Sequence, residues 1–143
     1  CVSVGTDEYA TLLSGHERGD TMSGQKPPFD ENVIMFSCSG AANVGEIADE
    51  ALRRLMFEGK GEMSCVDGVG ARLDKFLEKT NAAETVVMVD GCDNECGRKL
   101  MEGCGFSDFK YLRVIDLGIE KAKPKRAEES EISKVKEHIQ SLL

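Results

Sequence analysis

Cys92 and Cys96 stand four residues apart in the stretch Asp90-Gly91-Cys92-Asp93-Asn94-Glu95-Cys96. Thiolates are soft metal ligands and good nucleophiles, so a close cysteine pair suits either metal binding or thiol chemistry. Cys38 and Cys65 each lie at or just after another run that reads as a strand. Four thiols supply the donor set of a tetrahedral thiolate zinc site, provided the fold gathers them. A Cys-x3-Cys spacing alone is a weak signal; the two further strand-end cysteines give it weight.

The elements that must position these residues follow from hydrophobic rhythm. Short apolar runs over residues 33–36 and 85–89 are bounded by turn-forming residues, the pattern of strands buried on both faces. Residues 62–66 and 111–117 are two further strand candidates. Between them, Val44, Ile47, Ala48, Ala51, Leu52, Leu55 and Met56 recur at three- and four-residue steps, which predicts an amphipathic helix ended by Gly59 and Gly61. Leu73, Phe76 and Leu77 mark a second helix to about residue 80, and residues 94–103 a third. Ile132, Val135, Ile139 and Leu142 mark a terminal helix with Ser130 as its expected cap.

Strand and helix thus alternate, which predicts an α/β fold: a small doubly wound, Rossmann/flavodoxin-like sheet of four parallel strands in order 2-1-3-4, with helices on both faces. In such a sheet ligands gather beyond the carboxyl ends of the strands, where Cys38, Cys65 and Cys92 are expected, with Cys96 in the following helical turn. Residues 33–143 read as one α/β domain. Residues 1–32 read as an irregular lead-in, with a short helix over residues 6–15 and a loop carrying His16.

A helix N-terminus favours negative charge, so Cys92 and Cys96 are expected to have lowered pKa values. Asp90 directly follows a strand and can bind loop amides or orient a thiol, whereas Asp93 and Glu95 read as first-turn acids of the helix. Asp67 also lies near this edge. Cys104 falls at the far end of that helix, about 12 Å from Cys96 at 1.5 Å per residue. The loop Cys38-Ser39-Gly40-Ala41-Ala42-Asn43-Val44-Gly45 has the layout of a cysteine phosphatase site, but low-molecular-weight phosphatases and related arsenate reductases place an arginine six residues after the nucleophile. Val44 stands there, and no arginine occurs between Cys38 and Arg53. Without a bidentate guanidinium that chemistry is disfavoured. Ser39 and Asn43 remain to cap the helix or orient a small ligand.

Composition narrows the classes. The chain has 143 residues, 41% hydrophobic and 31% charged, enough for one domain with a proper core. Net charge is −8, and residues 120–143 hold six Lys/Arg against five Glu, so the acidity lies in the remainder. An acidic body repels phosphate backbones and anionic membranes, which argues against nucleic-acid and membrane partners. The basic cluster Lys123-Pro124-Lys125-Arg126 reads as a solvated loop. There is no run of about 20 apolar residues and no signal-peptide pattern. Six cysteines in a chain able to build its own core point to a reducing cytoplasm. The chain starts at Cys1 rather than Met, which leaves room for a fragment, a processed form or a lipid-modified end.

Together these motifs resemble the DGC-domain proteins, a family described as zinc-binding. The resemblance rests on Cys38-Ser39-Gly40 with Asn43-Val44-Gly45, on Cys65-Val66-Asp67-Gly68-Val69-Gly70, and on Asp90-Gly91-Cys92 with Cys96. It spans roughly residues 33–119. It implies zinc as cofactor and Cys38, Cys65, Cys92 and Cys96 as ligands. The family pattern often has proline after the motif cysteine; Asp93 stands there, which alters the helix start and removes no ligand. If all four thiols bind, the site is closed and structural; if Cys65 stays free, it has an open position for water, a small anion or a thiol substrate. The rival reading is a thiol redox or sulfur-transfer enzyme, with Cys92 or Cys38 as nucleophile and Cys96 as resolving cysteine. A third is a metal-dependent module that docks a partner on the cysteine edge.

Overall fold

The computed structural model describes residues 28–143. The helix expected over residues 6–15, His16 and Cys1 lie outside the described residues. Four strands form one parallel sheet: β1 (Val33–Ser37), β2 (Glu62–Met63), β3 (Thr85–Asp90) and β4 (Lys110–Arg113). Their order is β2-β1-β3-β4, as the alternation of elements predicts. Ser37 pairs in register with Val89, and Asp90 with Arg113, so the carboxyl ends of the three longer strands finish side by side.

Both faces of the sheet are covered, which is why its central strands read as unbroken apolar runs. Met35, Val87 and Val89 face α1 (Asn43–Phe57) and α5 (Glu129–Leu142), meeting Ile47, Leu52, Leu55, Val135 and Ile139. Ile34, Phe36 and Met88 point the other way, onto α2 (Val66–Gly70), α3 (Asp74–Ala82) and α4 (Cys96–Gly103), through Val69, Phe76 and Met101. The period-two alternation of side chains thus divides the core in two. Fully burying a residue such as Ile47 or Leu52 is worth about 1.5–3 kcal/mol, so these two layers carry the fold.

The structure corrects four local expectations. Residues 66–70 form helix α2 rather than strand and loop, so β2 keeps two residues and Cys65 becomes the residue before a helix. The fourth strand ends at Arg113 and continues as a 3-10 turn over Val114–Leu117, because Val114 turns into the core on the α1 side. Helix α4 starts at Cys96 rather than near Asn94, since Glu95 adopts a left-handed conformation (φ 51°) that no helix continues through. Helix α5 is preceded by Glu128, not Ser130; the Glu131 carboxylate accepts from the Glu128 amide at 3.3 Å.

Candidate metal and thiol site

Cys38 sits one residue beyond β1, and its N–H donates to the Val89 carbonyl at 2.8 Å. That bond carries the β1–β3 pairing past the end of the strand and fixes where the thiol points. Cys96 is the first residue of α4. Its sulfur lies 3.6 Å from that of Cys38, with the thiols 58 residues apart in the chain. The third group is Asp90, the last residue of β3, whose Oδ1 is 3.9 Å from Cys96 Sγ. Ligand atoms of Cys38, Asp90 and Cys96 all lie within 4.8 Å of one another.

Asp90 is built into this position. It is only 1% exposed, and a buried carboxylate needs donors. Oδ1 accepts from the Gly97 amide at 2.9 Å, and Oδ2 from the Arg98 amide at 2.9 Å and the Tyr111 hydroxyl at 3.0 Å. The carboxylate therefore satisfies the free amides at the start of α4 from six residues upstream, in place of a local cap. Gly97 makes this approach feasible. A Cβ there would lie 1.8 Å from Met88 Cε and 2.9 Å from Asp90 Oδ1. Similarly, a Cβ on Gly91 would meet the Val44 backbone at 3.0 Å, so the loop after β3 packs this closely on the first turn of α1 because Gly91 has no side chain.

Electrostatics here oppose the expectation for Cys96. Its thiol pKa is raised, not lowered: burial contributes most, then the hydrogen bond and charge of Cys38, then the charge of Asp90. The helix end already faces the Asp90 carboxylate, so its dipole does little for a second anion. Tyr111 is also pushed up, by burial and then by the adjacent Asp90 charge. Glu95, just before the helix, pairs with Arg113 at 3.1 Å rather than acting as a first-turn acid.

Cys92 and Cys65 lie apart from this cluster. Cys92 is 8% exposed and packs with the α1-side core. Its sulfur accepts from Lys121 Nζ at 3.1 Å. Lys121 in turn is raised, chiefly by that hydrogen bond and the Cys92 charge. Cys65 is exposed and lines a cavity of about 340 Å³ with Ser37, Ser39, Asp49, Arg53 and Met63. Cys104 ends α4, as expected, and its thiol donates to the Val69 carbonyl at 3.4 Å. All five described cysteines are free.

Sequence reasoning placed Asp90 at the edge but did not name it as a donor beside the thiols, and it missed Lys121. Lys121 is pinned by Asn43, a fully buried residue. The Asn43 amide donates to the Glu120 carbonyl at 2.9 Å and accepts from the Ala122 amide at 2.8 Å. Neither Asn43 nor Ser39 caps α1, whose N-cap is Ala42. The available signal was position: the segment after β4 must return across the same sheet edge that carries the cysteines.

Comparison with known proteins bears on this site. A family model described as DGC domain matches residues 34–139, a span that contains Cys38, Cys65, Asp90, Cys92, Cys96 and Lys121. The chain is also 29% identical over 83 residues to the anaerobic and virulence modulator AnvM of Pseudomonas aeruginosa, covering 58% of this chain and 60% of that protein. The chain thus spans less than two thirds of that relative's length. No solved structure matches it. With most of its length covered by the family model and Asp90 of the Asp90-Gly91-Cys92 motif set between the Cys38 and Cys96 thiols, the chain belongs to the DGC-domain family.

Proposed function

We propose that this DGC domain binds one soft divalent metal ion, zinc foremost, between Cys38 and Cys96, with Asp90 as third donor. The fourth position falls to Cys92 or Cys65 after rearrangement, or to an exogenous ligand. The observation that carries this is the 3.6 Å separation of the Cys38 and Cys96 sulfurs. Two zinc–sulfur bonds of 2.3 Å at the tetrahedral angle span about 3.8 Å, so the pair fits without movement. Asp90 Oδ1 spends one lone pair on the Gly97 amide and keeps another for a metal. A bound zinc supplies a structural cross-link when four protein ligands close the site and a Lewis acid when one position is open. Tyr111 and the two helix amides orient the Asp90 carboxylate, the support that metal ligands commonly receive.

Free thiols in this number suit a reducing cytoplasm, and the relative's name, a modulator, favours a regulatory role over turnover. The test is elemental analysis of protein purified without added metal, with thiol counting. We expect about one equivalent of metal that shields Cys38 and Cys96 from alkylation. Substoichiometric metal with every thiol freely titratable would sink the reading.

A second reading rests on the same distance. In metal-free protein, Cys38 and Cys96 are placed to exchange with a partner disulfide. Their two thiols would lose two protons and two electrons to form one disulfide, and the partner disulfide would become two thiols. The sulfurs need only close from 3.6 Å to about 2.0 Å. Non-reducing peptide mapping after treatment with oxidised glutathione checks it, and finding no Cys38–Cys96 link would exclude it.

A further inference from the structure

The geometry points to Lys121 as the residue that holds Cys92 out of the metal set and so keeps the fourth position open to an outside ligand. This rests on the metal reading above and decides the point that reading leaves to rearrangement. Three features act together in this arrangement. Lys121 Nζ donates to Cys92 Sγ at 3.1 Å. The segment carrying Lys121 is clamped on both sides by the buried Asn43 amide, through Glu120 and Ala122, and the Asn43 N–H adds a bond to the Ala122 carbonyl at 3.3 Å. Cys92 itself packs against the α1-side core at 8% exposure.

The consequence is a division of labour within the Asp90-Gly91-Cys92 motif. Asp90 faces the Cys38–Cys96 pair, whereas Cys92 is turned toward Lys121. Lys121 brings its positive charge to the same edge as two thiols and a carboxylate, a group of donors that bears excess negative charge when a divalent ion is bound. The outside ligand that fits an open position beside an ammonium is a small anion or a thiolate. Lys121 is therefore a positioning residue: it acts through Cys92.

Cobalt(II) spectroscopy on the metal-free full chain tests this, with Co2+ alone as the probe. The charge-transfer band scales with the number of thiolates bound. Wild type should show a two-thiolate band, unchanged in Cys92→Ser. Lys121→Met should gain about half again in intensity as Cys92 joins the set, and Lys121→Arg, which keeps a cationic donor, should retain the wild-type spectrum. Lys121 is exposed, so its two variants should fold. A weaker band in Cys92→Ser overturns the inference while leaving the metal reading intact. A Lys121→Met spectrum equal to wild type does the same, since core packing alone would then hold Cys92. Failure of wild type to take up Co2+ overturns both.

Discussion

Replacing Asp90 by asparagine tests the organisation of the site more sharply than removing a thiol does. The carboxylate is buried and accepts three hydrogen bonds, from the amides of Gly97 and Arg98 and from the Tyr111 hydroxyl. An asparagine keeps the shape. Its oxygen can serve the Gly97 amide, but its NH2 then faces the Arg98 N–H donor to donor. The Tyr111 hydroxyl can rotate and accept, so one buried N–H is orphaned, costing about 1–3 kcal/mol. The lost charge at the start of α4 adds about 0.3–2 kcal/mol. Together the metal-free variant should lose about 3 kcal/mol, a fall in Tm of about 10 °C for a domain of this size. Urea unfolding of metal-free wild type, Asp90→Asn, Tyr111→Phe and the double variant reads this directly. The two positions should couple by about 1 kcal/mol. Zinc affinity, measured by chelator competition, should fall by more than the roughly 10–100-fold that loss of a supporting partner produces. A metal-free Asp90→Asn protein within about 0.5 kcal/mol of wild type would refute the account of Asp90 as the support of α4.

Other perturbations have expected outcomes of their own. Gly97→Ala forces a Cβ to within 1.8 Å of Met88 Cε and should cost about 1–3 kcal/mol in a melt, with Met88→Ala recovering part of it. Asn43→Ala leaves the Glu120 carbonyl and Ala122 amide without their buried partner. It should cost about 2–4 kcal/mol and speed hydrogen exchange at Ala122; unchanged exchange there would count against the clamp. The raised Cys96 thiol makes a pH prediction. A group whose folded pKa lies above its unfolded value stabilises fully below the unfolded value and loses that contribution as pH rises through the folded one. Metal-free wild type should therefore lose stability from about pH 9 upward, and Cys96→Ser should lose less; parallel pH profiles for the two would refute it.

The sheet was legible because burial on both faces writes strands as continuous apolar runs, and helix α1 because its apolar positions repeat at helical spacing. Those patterns need no knowledge of neighbours, and the alternation of elements then implies parallel strands, here in the order expected for a small doubly wound sheet. By itself the sequence also placed Cys38, Asp90 and Cys96 on one edge, since strand ends and the first helical turn share that edge by topology. Which of the cysteines meet was decided only in three dimensions. The turn at Glu95 and the Asp90 carboxylate aim Cys96 at Cys38, whereas core packing and Lys121, held by Asn43 from 78 positions earlier, turn Cys92 aside. Side-chain direction at a loop depends on backbone angles and on partners distant in the chain, and neither leaves a periodic trace. The same reason explains why Cys96 departs from the expected low pKa. A helix end does favour a thiolate, but the tertiary fold withdraws the Cys96 thiol from water, sets a second thiol 3.6 Å away and spends the helix end on Asp90.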